Sequence, residues 1–209
     1  IATFCHQLNH NEQPEIHIDA KVGFIYVEKI AKNICELIKI QSSKIQKIKI
    51  EADKRIKISK ILSKLNHFKK LYLESGIIPR FDNTFEVDLF NTFRSYKDSD
   101  ELPQRLDPNI DNRGLLFEIV KDMSGGQSFF SITKPGIIRG NHFHTKKIER
   151  FCVVSGDAVI RLRKIGDVKI NEYEVSGDNP MALDMPIFYT HNIQNIGKSD
   201  LLTLFWSNE

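Results

Sequence analysis

Gly140-Asn-His-Phe-His-Thr-Lys-Lys-Ile-Glu149, with six residues between Glu149 and Gly156, is the stretch that decides how this chain is read. Side chains at i and i+2 of an extended strand leave the same face, so a strand over Gly140 to His144 sets His142 and His144 side by side. Glu149 follows five residues later, and a hairpin through Thr145 to Ile148 returns its carboxylate toward both rings. His191, distant in sequence, supplies a fourth donor from another strand. Three imidazoles and a carboxylate suit a divalent transition ion such as Zn, Mn, Fe or Ni, and donor type alone does not choose among them. Taken alone, His-x-His equally describes a surface pair, with His191 as a hydrogen-bonded core residue.

Around this stretch the texture is that of an all-β domain. From about residue 100, Gly and Pro recur at short intervals: Pro103, Pro108, Gly114, Gly125, Gly126, Pro135, Gly136, Gly140, Gly156, Gly166, Gly177, Pro180, Pro186 and Gly197. Between them run segments rich in Val, Ile, Phe, Tyr and Thr. Strands are expected at 115–121, 127–133, 140–144, 149–154, 158–165, 170–175, 181–185, 191–195 and 201–206. Short strands at this spacing imply an antiparallel sandwich or barrel, the jelly roll among them.

The half before residue 100 reads as mixed and mostly helical. Short strands are expected at 15–19 and 22–27, and an alternation of Lys or Gln with Ile suggests another at 44–50. A helix over 28–40 carries Ile30, Ile34, Leu37 and Ile38 at helical spacing. A second begins at Ser59, with Ile61, Leu62, Leu65, Phe68, Leu71 and Tyr72 on one face, and Gly76 and Pro79 stop it. A third over 83–96 has Phe85, Leu89 and Phe93 as its stripe.

Composition narrows the class. The chain has 209 residues, 41% hydrophobic and 27% charged, which supports a packed core and excludes disorder for the bulk of it. The densest apolar run, Leu201 to Trp206, is far below the roughly 18–20 residues of a membrane span. No secretory signal opens the chain, and Cys5, Cys35 and Cys152 are widely spaced with no Cys-x-x-Cys pair. The expectation is a cytoplasmic protein with reduced thiols and no membrane partner. Residues 39–70 carry a local charge of +9 within a chain of net +3. No nucleic-acid-binding motif accompanies that stretch, so it reads as a solvated lysine face and no nucleic acid is expected. The chain opens on Ile1, so a processed start or a longer parent protein is expected.

The frame around the histidines resembles the cupin superfamily. His142-x-His144-(x)4-Glu149-(x)6-Gly156 follows its first signature, and Gly177, Pro186, His191 and Asn195 follow the second in outline. Two departures stand in that second half: eight residues separate Gly177 from Pro186 where five are usual, and Phe188 occupies a glycine position. The resemblance narrows at Asp111 to Glu118, Gly126 to Gly136, Arg139 to His144, Tyr189 to Ile193 and Leu204 to Glu209. Together these are similar to the C-terminal cupin domain of the bacterial capsular polysaccharide synthesis protein F (CapF-type) family. Ile1 to His6 and Phe24 to Ile30 are similar to the closing part of the reductase domain that precedes the cupin in that family.

The resemblance implies a mainly β chain: a jelly-roll cupin barrel over 101–209 behind a C-terminal remnant of a short-chain dehydrogenase/reductase domain over 1–100. It implies a metal, Zn first, on His142, His144, Glu149 and His191, a homodimer through the cupin, and a UDP-linked 4-keto-6-deoxy-N-acetylhexosamine epimerised at C3. No glycine-rich dinucleotide turn and no Tyr-x-x-x-Lys pair occurs, so NAD(P) binding and C4 reduction are not expected of this chain. Tyr189, two residues before His191, is the first candidate for proton transfer, with a structural tyrosine at the barrel rim as the alternative, and Glu118 is the second, with an orienting carboxylate as the favoured alternative. Arg113 and Arg139, which flank Gly114 and Gly140, are the candidates for a pyrophosphate, with Asn141 a further substrate contact. The competing expectations are a non-catalytic sugar-binding or dimerisation module with a structural metal, and a metal oxygenase.

Overall fold

Apolar residues recur at helical spacing up to Tyr96 and at period two after Gly114, and the chain divides accordingly. A computed structural model describes residues 1–40 and 47–208. It forms two compact units, Ile1–Pro103 and Gln104–Glu209.

The first unit is built from α1 (Ala2–Asn9), β1 (Lys21–Phe24), α2 (Val27–Ile38), β2 (Lys54–Lys57), α3 (Ile58–Phe68) and α4 (Thr84–Arg94). One wide turn, Lys69–Leu73, prolongs α3. The core joins Cys5 and Leu8 of α1, Ile61, Leu65 and Phe68 of α3, and Leu89, Phe90 and Phe93 of α4. Phe68 and Phe90 meet edge-on at 5.2 Å, a favoured aromatic geometry. Asn83 caps α4 by accepting from the Glu86 amide.

Two expectations for this unit change. Residues 15–19 are not a strand: Ile16 and Ile18 alternate, but no neighbouring strand pairs with them and Ile18 stands exposed. Of the strand expected at 44–50, residues 44–46 lie outside the described residues and 47–50 are irregular. The Lys/Ile alternation is realised further on, in β2, which pairs antiparallel with β1 and half-buries Ile56.

The second unit holds ten strands: β3 (Asn109–Asp111), β4 (Gly114–Asp122), β5 (Gly126–Thr133), β6 (Ile138–His142), β7 (Glu149–Ser155), β8 (Asp157–Lys164), β9 (Ile170–Ser176), β10 (Ala182–Met185), β11 (Tyr189–Asn195) and β12 (Leu201–Ser207). They make a six-stranded sheet, β10-β7-β12-β5-β4-β3, and a four-stranded sheet, β6-β11-β8-β9, with every pairing antiparallel. This is a double-sheet jelly roll. Alternation sets the inner face: Phe151 and Val153 of β7, Ala158, Ile160 and Leu162 of β8, and Ile193 of β11 are buried together with Val175, Met185 and Leu201. Each of these side chains larger than alanine contributes about 1.5–3 kcal/mol by leaving water.

One strand boundary matters for the site. The strand expected over 140–144 is β6, which ends at His142, so His144 lies beyond the sheet in the loop toward β7. The cause is local backbone: Gly140 (φ 101°) and Asn141 (φ 67°) are consecutive left-handed residues that bend the strand.

Candidate metal centre and its cleft

His142, His144, Glu149 and His191 each bring one donor atom into a group whose members all lie within 4.8 Å of one another. Three elements and one loop deliver them. β6 and β11 pair so that His142 stands opposite His191, with a register shift between His191 and Asn192. The bend at Gly140 and Asn141 matches that shift. A Cβ on Gly140 would sit 2.8 Å from the His191 carbonyl oxygen, so only glycine fits there. Glu149 enters from the other sheet, at the start of β7.

His144 is placed by an unusual residue. Phe188, at the position where the cupin signature carries glycine, has φ 62°. A bulky side chain in that region costs of order 1 kcal/mol or more. Two backbone bonds hold it there: its N–H donates to the His144 carbonyl at 2.8 Å, and its carbonyl accepts from Ile165 N–H at 2.9 Å. The loop before His191 therefore keeps the left-handed turn without the glycine, and the turn itself tethers His144.

The donors converge without satisfying one another. Glu149 Oε2 lies 3.3 Å from His144 Nε2 and 3.1 Å from His191 Nε2. All three atoms are buried, and none is aligned in a hydrogen bond. Buried polar atoms without partners are costly, and their convergence on one point fits a cation held at about 2.0–2.2 Å by His and Glu. His191, 1% exposed, places Nδ1 3.2 Å from the Tyr189 carbonyl. Donation from Nδ1 fixes the tautomer that leaves a lone pair on Nε2.

Electrostatics favour the ligand forms. Burial works to raise the Glu149 pKa, but the contact with His191 and the charges of His191, Lys147 and His144 hold it below the usual carboxylate value. Desolvation, then the neighbouring rings of His191 and His144, push His142 below the ordinary histidine value, which keeps its lone pair free.

The centre borders a cleft of about 330 Å³ lined by His142, Glu149, Arg113, Arg139, Lys147 and an apolar wall that includes Phe129 and Phe151. A larger hollow in the helical unit, about 620 Å³ and lined by Phe24, Tyr26, Phe85 and Leu89, holds no such donor group among the described residues. Arg113 and Arg139 reach the cleft, joined by Asp111: Arg113 Nε donates to Asp111 Oδ2 at 2.8 Å, and Arg139 Nη2 lies 3.8 Å from Oδ1. Asn141 does not line it; its Oδ1 accepts from Asn192 Nδ2 at 2.7 Å, which braces the bend beside the centre. Nor does Tyr189, whose ring packs on the barrel core while its carbonyl holds His191. Glu118, half-buried on β4, does not line it either, but stands in register with the cleft-lining Phe129 and so shares its inward face.

Ser131, Thr133, Asp111 and Lys147 are site residues that the sequence reading passed over. Ser131 and Thr133 alternate with Phe129 along β5, and polar residues on an inward face were the available signal.

Comparison with known proteins places this geometry. Residues 109–209 match the polysaccharide biosynthesis C-terminal domain family. The capsular polysaccharide assembling protein CapF of Staphylococcus aureus superposes with a TM-score of 0.86 at 36% identity, over 99% of this chain and 58% of that one. CapF solved with the inhibitor 3-isopropenyl-tropolone gives 0.86 at 37% identity, over 99% and 61%. The UDP-2-acetamido-2,6-beta-L-arabino-hexul-4-ose reductase of Pseudomonas aeruginosa is 25% identical over 210 residues, all of this chain and 56% of that protein. The chain thus spans somewhat over half the length of these relatives. Its fold over that span is theirs, and the chain resembles the CapF-type family throughout it.

Proposed function

We propose that the barrel unit is a metal-dependent epimerase acting at C3 of a UDP-linked 4-keto-6-deoxy-N-acetylhexosamine in surface polysaccharide synthesis. The observation that carries this reading is the convergence of unsatisfied His144 Nε2, Glu149 Oε2 and His191 Nε2, with His142 beside them, on the wall of a cleft that two arginines also line. A C3 proton next to a C4 ketone is weakly acidic, and its removal places negative charge on the ketone oxygen. A divalent ion on the four ligands, Zn in this reading, supplies Lewis-acid stabilisation of that charge. The relatives support the substrate: one is named for a UDP-linked 2-acetamido-hexul-4-ose, and CapF takes a tropolone, whose adjacent carbonyl and hydroxyl oxygens resemble the edge of an enediolate.

The residues of the chain divide the remaining work. Glu118, on the inward face of β4, takes the C3 proton. Lys147, which lines the cleft 3.9 Å from Glu149 Oε1, is the donor that can return one to the opposite face. Tyr189 acts through its carbonyl by fixing the His191 tautomer. Arg113 and Arg139 provide positive charge for an anionic substrate, and the apolar wall excludes water from the reacting carbon. C4 reduction is left to a dinucleotide-binding part that these residues do not form. Homodimerisation and a cytoplasmic location are carried over from the family; sedimentation of the purified chain reads the first.

The experiment is solvent deuterium incorporation at C3 of the UDP-4-keto-6-deoxy sugar, comparing the metal-loaded chain with His144→Ala. Incorporation by the first and its loss in the second are expected. A folded, metal-loaded chain that incorporates no deuterium overturns the proposal.

A further inference from the structure

We infer that Arg139 and Arg113 have separate tasks: Arg139 donates to the substrate oxygen that becomes anionic beside the metal ligands, and Arg113 holds the diphosphate at the edge of the cleft. This rests on the epimerase reading. The side chains differ sharply in burial, 12% exposed for Arg139 and 48% for Arg113. Arg139 rises from β6 three residues before His142 and lines the same cleft as His142 and Glu149. Its Nε donates to Thr133 Oγ1 at 3.0 Å, and Ser131 Oγ lies 3.1 Å from that hydroxyl, so two buried hydroxyls hold the guanidinium from behind. Its Nη2 is buried without a hydrogen bond, the Asp111 carboxylate lying farther off at 3.8 Å.

A guanidinium stays charged at any working pH, and the apolar side chains of Leu116, Phe129, Phe151 and Phe205 line the same cleft and screen its field less than water does. Such a preset donor stabilises charge as it develops. Arg113 is placed otherwise. It stands half-exposed beside Gly114 at the β3–β4 turn, with Nε and Nη2 both on Asp111 Oδ2, at 2.8 and 2.5 Å. Hydrated and already sharing a carboxylate, it adds little to a transition state, yet its fork suits capture of a phosphate. In the step itself the C3–H bond breaks and the proton goes to Glu118. The bonding pair forms the C3=C4 double bond while the C4=O pair moves onto the oxygen facing Arg139. Return of a proton to the opposite face reverses these shifts, with no net oxidation.

The test titrates the metal-loaded chain with UDP alone and with tropolone, which offers adjacent oxygens and no phosphate. Arg113→Ala should weaken UDP by about 10-fold or more and leave tropolone within about twofold; Arg139→Met should do the reverse. In C3 exchange, Arg139→Met should lower kcat by roughly 10²–10³ with KM little changed, whereas Arg113→Ala raises KM and spares kcat. If Arg139→Met does not fold, Arg139→Lys carries the test, with tropolone weakened and UDP unaffected. Tropolone binding unchanged in a folded Arg139 variant, or a loss of UDP binding equal in the two variants, overturns the division. Absence of exchange in the unaltered chain overturns the epimerase reading instead, and the two titrations still decide between the arginines.

Discussion

The helical unit buries Cys5, Leu8, Ile61, Leu65, Phe68, Leu89, Phe90 and Phe93 and keeps its charged groups at the surface, whereas the barrel buries Ser131, Thr133, Glu149, His191, Asn195, Thr203 and Ser207 among its aliphatic residues. The contrast sharpens at single atoms. Among the described residues, the helical unit has one buried side-chain atom without a hydrogen bond, Asn9 Oδ1, and that residue's amide nitrogen is satisfied twice, by the Cys5 and Phe93 carbonyls. The barrel has six, on Arg139, His144, Glu149, His191, Asn192 and Thr203. Buried polar atoms are ordinarily paired because an unpaired one costs about 1–3 kcal/mol. A domain that gathers several on one wall holds groups meant for something other than its own chain. The helical unit is organised for stability, and part of the barrel's interior is organised for a ligand.

If that is right, comparable substitutions should act oppositely in the two units. Phe93, fully buried on α4 in the core it shares with α1 and α3, has only packing to lose: Phe93→Ala should cost about 3–5 kcal/mol in urea unfolding. Thr203, 1% exposed with an unpaired Oγ1, should tolerate its isostere: Thr203→Val should be neutral or stabilising by about 1 kcal/mol. A large loss from Thr203→Val would mean that its hydroxyl is engaged after all, and the comparison would fail at that residue. Next in size is the metal centre. Glu149→Gln keeps the shape but removes the charge facing His144 and His191, and Zn affinity measured against a chromogenic chelator should fall roughly 100-fold or more. Unchanged affinity would remove Glu149 from the ligand set.

The two units were also unequally legible in the sequence. Period-two alternation and punctuation by Gly and Pro mark the barrel strands closely, because each strand buries one face and register is fixed by that face. The spacing of His142, His144 and Glu149 fixes which groups can meet, and the structure brings them together with His191. The bend is what spacing does not show. A reader of the sequence sets His144 on the strand, since nothing local announces that Asn141 takes φ 67° next to Gly140. Phe188 is the complementary case: its side chain argues against a left-handed turn, and tertiary bonds to His144 and Ile165 impose one. Asn141 and Tyr189 sit close to ligands in sequence, which made them candidates for substrate contact and proton transfer. The Asn141 side chain meets Asn192, and the Tyr189 backbone carbonyl meets His191, contacts that only cross-strand register reveals. In the helical unit the Lys/Ile alternation could be read over several registers, and only β2, with β1 opposite, found a pairing.

The smallest expected effect separates the units by pH. In the helical unit, burial works to raise the Glu86 pKa, but the Lys64 ammonium at 2.6 Å and the Asp82 and Asn83 contacts outweigh it and hold the carboxyl below its ordinary value. A depressed folded-state pKa gives stability that is present above the unfolded value, near 4.5, and is lost as pH falls through the folded one. Glu86→Gln should therefore flatten the acid limb of the thermal stability curve below about pH 4.5 and leave its shape near neutrality unchanged. The barrel's metal affinity should decline earlier, as protons compete for the imidazole ligands, although the lowered pKa of His142 delays its share. Two separate limbs, with the metal-affinity limb at the higher pH, one removed by Glu86→Gln and the other by the absence of metal, are the expected pattern. Coincident limbs would mean that one set of groups governs both, and the distinction between a unit built for stability and one built around a ligand would not hold.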